Sequence, residues 1–261
     1  MRPTSPLVGF FNKRTSARMN KHIGSDQMLK ALIFDVDGTL ADTESAHLAA
    51  FNHAFAEQGL DWQWDESLYT RLLEISGGKE RMLHYWNQVH ADMKDIDGSG
   101  LRDTIEHLHA LKTAAYEAAV QGGAVQLRPG VLALIQQAHQ QGLRLAIATT
   151  TSPVNIAVLL RNAIGPDWKE LFVVIEDAST APKKKPHPQV YVQTLARLGL
   201  PADNCLAIED SSNGLRAAVA AGLKTIITQN RFTAHHDFSD ALLVLPDLGG
   251  VGVEQLRIWH Q

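Results

Sequence analysis

From Arg128-Pro129-Gly130 onward the chain alternates helical stripes with short apolar runs, and this rhythm constrains the fold more than any other feature. Helical patterning over 130–141, 153–164, 188–198 and 213–221 is followed each time by a strand-like run, at 143–149, near 172–175, at 205–209 and at 223–227, with a last short strand near 242–245. Gly142, Gly165-Pro166, Gly199 and Gly222 stand where those helices stop. A helix between successive strands returns the chain to the starting edge, so the strands pair in parallel and the helices cover both faces. The run from Leu29 to Phe34 adds one more buried strand and ends in Asp35. The expected fold class is α/β, with a Rossmann-like parallel sheet as its core.

Between the first strand and Val125 the pattern is helical. His47, Ala50, Phe51, Ala54 and Phe55 recur at helical spacing, and the segments from Ser67, Gly78 and Leu101 carry similar stripes. Residues 43–126 are expected to form an inserted α-helical cap domain, leaving 29–42 and 127–261 as the core. Residues 1–28 read as a leader, with Arg2, Lys13, Arg14, Arg18 and Lys21 against the single acid Asp26. Disorder, a vector-derived extension or an overlong gene start is expected there, because Met28 stands just before the first strand; a transit peptide is the alternative.

Composition excludes several classes. With 24 basic and 28 acidic side chains the net charge is −4, and the one basic run, Lys183-Lys184-Lys185, is too short to make a nucleic-acid-binding face. Cys205 is the only cysteine, so no internal disulfide or cysteine-based zinc site can form, and its apolar neighbours predict a buried structural thiol. No stretch is long and apolar enough to span a membrane. A monomer acting on a small phosphorylated metabolite is expected, in the cytoplasm, or in a plastid if the leader is a transit peptide.

In open α/β sheets, ligands bind beyond the carboxyl ends of the strands. That rule selects Asp35 and Asp37, Thr149, Glu209 with Asp210, and Lys185 from the loop before the third helix. Clustered carboxylates repel one another without a cation, and oxygen ligands suit a hard ion such as Mg2+. The hydroxyl and the lysine suit a phosphate. Two unit charges about 4 Å apart interact by roughly 4 kcal/mol at an effective dielectric of about 20, so an anionic nucleophile approaches a phosphate only beside cations.

Asp35-Val36-Asp37-Gly38-Thr39-Leu40, Ile147-Ala148-Thr149, Lys185-Pro186-x-Pro188 and Ile208-Glu209-Asp210-Ser211-x-Asn213-Gly214 resemble, in order, the four motifs of the haloacid dehalogenase superfamily. The resemblance implies that Asp35 is the nucleophile and forms an aspartyl phosphate, while Asp37 is the general acid and base. It implies phosphate binding by Thr149, Thr150 and Lys185. Mg2+ would be held by Asp35, the Asp37 main-chain carbonyl and Asp210, with Glu209 beside them. Gly38 answers a backbone requirement, Asn213-Gly214 opens a helix with Asn213 near the metal, Lys183 and Lys184 read as solvated loop charges, and His187 as a surface residue.

The helical insert resembles the cap of the β-phosphoglucomutase and phosphoglycolate phosphatase branch. More closely, Asp42-Thr43-Glu44, His47, Asp61-Trp62-x-Trp64, Tyr69 and Gly77-Gly78-Lys79-Glu80-Arg81 look like the CbbY proteins of carbon-fixation operons. By position, Glu44, His47, Tyr69, Lys79 and Arg81 would touch substrate, with Trp62 and Trp64 packing. The implied activity is a Mg2+-dependent phosphatase for a sugar bisphosphate such as xylulose 1,5-bisphosphate. The alternatives are a phosphosugar mutase, a phosphoglycolate phosphatase, a non-catalytic binding module that keeps the fold, and a dehalogenase, which would need neither Mg2+ nor Asp37.

Overall fold

Strand β1 (Ala31–Phe34) has all four residues buried, because it lies in the middle of the sheet and has helices over both faces. The computed structural model describes residues 28–90 and 98–261, and residues 1–27 of the leader lie outside them. After β1 come α1 (Glu44–Glu57), α2 (Glu66–Leu72), α3 (Gly78–Val89) and α4 (Gly98–Gln121), the four helices of the insert. The remainder alternates: α5 (Val131–Gln140), β2 (Arg144–Ala148), α6 (Pro153–Ala163), β3 (Val174–Glu176), α7 (Gln189–Leu198), β4 (Cys205–Glu209), α8 (Ser212–Ala220), β5 (Lys224–Thr228), β6 (Leu243–Leu245) and α9 (Val253–His260). The rhythm from residue 130 to 245 anticipated every strand of this series. Only α9 was not anticipated, and it docks through Val253, Leu256 and His260.

The six strands are parallel, in the order β3-β2-β1-β4-β5-β6. The chain leaves β1 towards β2 on one side and later fills the other side with β4, so the order reverses at β1 and opens a crevice at its carboxyl end. Phe34 is in register with Ile147 and Ile208, which brings Asp35, Thr149 and Glu209 to one edge. The insert leaves and re-enters beside this crevice: the Arg128 amide donates to the Leu40 carbonyl at 2.9 Å, and Ala41 bridges Leu127. Serine hydroxyls cap two of the helices that start at the same edge, Ser152 on α6 and Ser211 on α8.

Each face of the sheet buries its own apolar cluster, one led by Leu32, Phe34, Leu145 and Ile208, the other by Ile33, Tyr191, Cys205 and Ala207. Cys205 is buried, as its neighbours predicted, and burial pushes its thiol up to about 11. A third cluster fills the insert with Phe51, Phe55, Trp62, Trp64, Tyr69, Met82 and Leu108. Trp62 and Trp64 pack edge-to-face against Phe55 within it, so both are packing residues. One core residue, Phe232, joins this cluster from the loop after β5.

Candidate active site

Asp35 extends β1 by one residue, and its amide donates to the Ile208 carbonyl at 3.0 Å, which fixes the side chain in the crevice. The Lys185 ammonium reaches it from the loop before α7, 2.6 Å from Asp35 Oδ1, 2.5 Å from Glu209 Oε1 and 2.9 Å from the Ala148 carbonyl. Burial works against that ammonium, but the two carboxylates outweigh it and hold its pKa well above the lysine range. The Tyr191 hydroxyl also donates to Glu209, whose carboxylate is wholly buried. Room for that carboxylate exists only because residue 214 is glycine: a Cβ there would lie 1.9 Å from Glu209 Oε2. Asn213 and Gly214 stand in the first turn of α8, as expected, with the Ser211 hydroxyl accepting the Gly214 amide, and the glycine carries this steric role as well.

Ligand atoms of Asp35, Glu209 and Asp210 lie within 4.8 Å of one another, all buried. Burial raises Asp35 to about 7, with Glu209 adding to the shift and Lys185 opposing it. Burial, followed by repulsion from Asp35 and Glu209, lifts Asp210 well above the carboxylate range. Three carboxylates pressed together with one lysine among them fit a hard divalent cation, which would restore all of them to the ionised form.

Asp37 is half-buried, and its electrostatics run the other way. Burial alone would raise it, but His47 Nε2, 2.9 Å from Oδ1, brings it down to about 2. The Lys112 ammonium lies 2.8 Å from His47 Nδ1. An ammonium can only donate, so Nδ1 accepts, the hydrogen sits on Nε2, and His47 donates to Asp37. Burial and Lys112 lower the His47 pKa, which keeps the ring neutral, and it stacks on Tyr116 at 4.1 Å. Lys112 itself, buried on α4, is lowered to about 8 by burial. It was absent from the expected site, although a readable signal exists: it occupies one position of the stripe Ile105, Leu108, Lys112, Tyr116, Val120, where every other member is apolar.

A cavity of about 530 Å3 lies between the sheet edge and the insert, and Asp35, Asp37, Thr149, Thr150, Lys185 and Asp210 all line it. Glu44, His47, Lys79 and Arg81 line it from the insert. Tyr69 does not. It is fully buried in the insert cluster, and its hydroxyl donates to Glu44 Oε2 at 2.6 Å, so it orients Glu44 instead of touching a ligand. Arg81 is partly committed, donating to the Leu72 and Ile75 carbonyls at 3.0 and 3.2 Å and stacking 5.4 Å from the Tyr69 ring. Lys79 is paired with Glu106.

Lys183 and His187 are exposed as expected, but Lys184 is not a free solvated charge. Its ammonium lies 2.6 and 2.5 Å from the two Glu80 oxygens, an ion pair from the loop before α7 to the insert. Gly77, with φ of +102°, makes way for that pair, since a Cβ there would lie 2.3 Å from Lys184 Nζ. Asn213 lines the cavity together with Asp210, and its side-chain amide donates to the Glu74 carbonyl of the insert at 2.9 Å, which adds a docking contact.

Residues 29–222 match the family model of the haloacid dehalogenase-like hydrolases. Protein CbbY of Cupriavidus necator is 57% identical over 221 residues, covering 85% of this chain and 86% of the relative. Protein CbbY of Rhodobacter capsulatus is 45% identical, covering 87% and 97%. A crystal structure of an Asp-to-Asn variant of CbbY from Rhodobacter sphaeroides, in complex with xylulose 1,5-bisphosphate, superposes with a TM-score of 0.80 at 40% identity, covering 88% of this chain and 99% of that one. Among the described residues no helix is long and apolar enough to cross a membrane.

Proposed function

The chain belongs to the haloacid dehalogenase-like hydrolases, and on that premise we propose that it is a Mg2+-dependent phosphatase of a small sugar phosphate, with a sugar bisphosphate such as xylulose 1,5-bisphosphate as substrate. The observation that carries the reading is the meeting of Asp35, Asp37, Thr149, Lys185 and Asp210 in one cavity at the end of β1. The helices of 43–126 act as a cap over it.

Asp35 attacks phosphorus opposite the leaving ester oxygen, and the aspartyl phosphate is then opened by water. Lys185 keeps Asp35 aimed and offsets the charge of the phosphoryl oxygens, to which Thr149 and Thr150 donate. Asp35, Asp210 and the Asp37 main-chain carbonyl would hold Mg2+, with Glu209 alongside. When bound, the ion supplies the positive charge that lets two anions meet. Asp37, held ionised by His47, is ready to take the proton of the attacking water. Protonating the leaving oxygen needs a proton on Asp37, and substrate entry that breaks the His47 bond would leave burial, the largest influence on this carboxyl, to raise its pKa above the ordinary range so that it can carry that proton.

The cationic lining favours a substrate with a second anionic group: Lys79, Arg81, Lys112 and Lys184 all face the cavity. The test is phosphate release from a panel of sugar mono- and bisphosphates with and without Mg2+. Xylulose 1,5-bisphosphate should be hydrolysed best, and Asp35→Asn should abolish turnover while leaving the fold intact. Formation of an isomeric sugar phosphate without free phosphate would show a mutase instead.

A further inference from the structure

The loop after β5 belongs to the sheet domain, yet its tip is built into the insert. Phe232 is buried among Phe51, Tyr69 and Trp64, with its ring perpendicular to Tyr69 at 6.0 Å. Its neighbour Arg231 also crosses over, donating to Ser45 Oγ at 2.7 Å and lying 3.6 Å from Glu66. At the root of the same loop, Asn230 Nδ2 donates to Asp210 Oδ2 at 2.8 Å. One side chain joins the two ends, because Asn230 Oδ1 accepts the Phe232 amide at 2.9 Å. The Asn230–Asp210 pair is seated directly on the nucleophile loop: a Cβ on Gly38 would lie 2.2 Å from Asp210 Oδ2 and 2.9 Å from Asn230 Nδ2.

An insert that swings away must either withdraw Phe232 from its apolar pocket or drag it along. Either movement pulls on the Phe232 amide, and the Asn230 side chain passes the displacement to the carboxylate it holds. We propose that the Asn230–Phe232 turn couples seating of the insert to the orientation of Asp210, with Phe232 as the anchor and Asn230 as the positioning residue. Because coupling is reciprocal, a well-oriented Asp210 and its cation favour the seated insert to the same degree that the seated insert favours the cation. Substrate captured under the insert would thereby tighten the metal site only when both are in place.

The inference rests on the reading of Asp210 as a cation ligand, and titration calorimetry of the full chain with Mg2+, without substrate, separates the two. Asn230→Ala should weaken Mg2+ binding by about 10-fold, the usual range for loss of an outer-shell partner. Phe232→Ala, which touches no ligand, should weaken it in the same direction by several-fold, and Phe232→Leu should restore most of the loss. A merely structural Phe232 would lower the melting temperature and leave the affinity of the folded protein alone. Wild-type affinity in a folded Phe232→Ala protein, or in Phe232→Leu and Asn230→Ala together if the Ala variant does not fold, would overturn the coupling. Failure of the wild-type chain to bind Mg2+ at all would instead overturn the metal reading.

Discussion

Gly214→Ala sets two known effects against each other. Residue 214 lies inside α8, where replacing glycine by alanine ordinarily adds stability of about 1 kcal/mol. Here the new methyl would sit 1.9 Å from Glu209 Oε2 and 2.2 Å from Oε1. Ordinary contact needs roughly 3.5 Å, so the carboxylate must retreat by more than about 1 Å. It cannot do so and keep the 2.5 Å contact with Lys185 or the Tyr191 hydroxyl. Losing one partner of a buried ion pair costs about 3–5 kcal/mol, which leaves a net loss of roughly 2–4 kcal/mol after the helix gain. The melting temperature should fall by roughly 5–10 °C, read by calorimetry or circular dichroism. Since Lys185 also aims Asp35, kcat for phosphate release should fall by at least about 100-fold. An alanine variant as stable as wild type, with normal turnover, would show that Glu209 is not wedged as described.

The metal-free protein should respond to pH through Asp35. Its pKa is raised from 3.8 to about 7, so the folded chain holds a proton that the unfolded chain releases, and stability present below about pH 4 is lost as pH rises towards 7. Denaturation midpoints across pH 4–8 should show that decline, Mg2+ should reverse it, and Asp35→Asn should reduce it to the part contributed by Asp210, whose carboxyl is raised as well. Lys79→Met should raise KM for a bisphosphate more than for the matching monophosphate, and equal changes would remove Lys79 from recognition of the second anion. Lys184→Met should change stability by no more than about 1 kcal/mol in urea denaturation, because its pair with Glu80 is partly solvated.

Most of the sheet edge was legible because it obeys a local rule. Short apolar runs mark strands, the residue after each run falls at the ligand-binding end, and so Asp35, Thr149, Glu209 and Asp210 could be grouped without coordinates. Lys185 belonged to the same group through its place before a helix. The roles proposed for them rest on residue type.

What escaped was carried by contacts between segments far apart in sequence. Tyr69 in an apolar stripe reads equally as packing or as a ligand contact, and only its distance to Glu44, 25 residues away, decides for packing with an orienting hydroxyl. Lys184 reads as solvated because Glu80, its partner, is 104 residues distant. Lys112 could have been suspected, since a lysine within the apolar stripe of α4 must either reach solvent or find a buried acceptor. Which acceptor it finds depends on how α1 packs on α4, and His47 supplies it. The general lesson is one of range: a strand carries its functional residues at its own end, whereas the groups that set their pKa and orientation come from whichever elements the topology brings alongside. An apolar residue in a polar loop, as Phe232 is among Arg231, Thr233, His235 and His236, is therefore the sequence mark of a docking contact whose partner only the fold identifies.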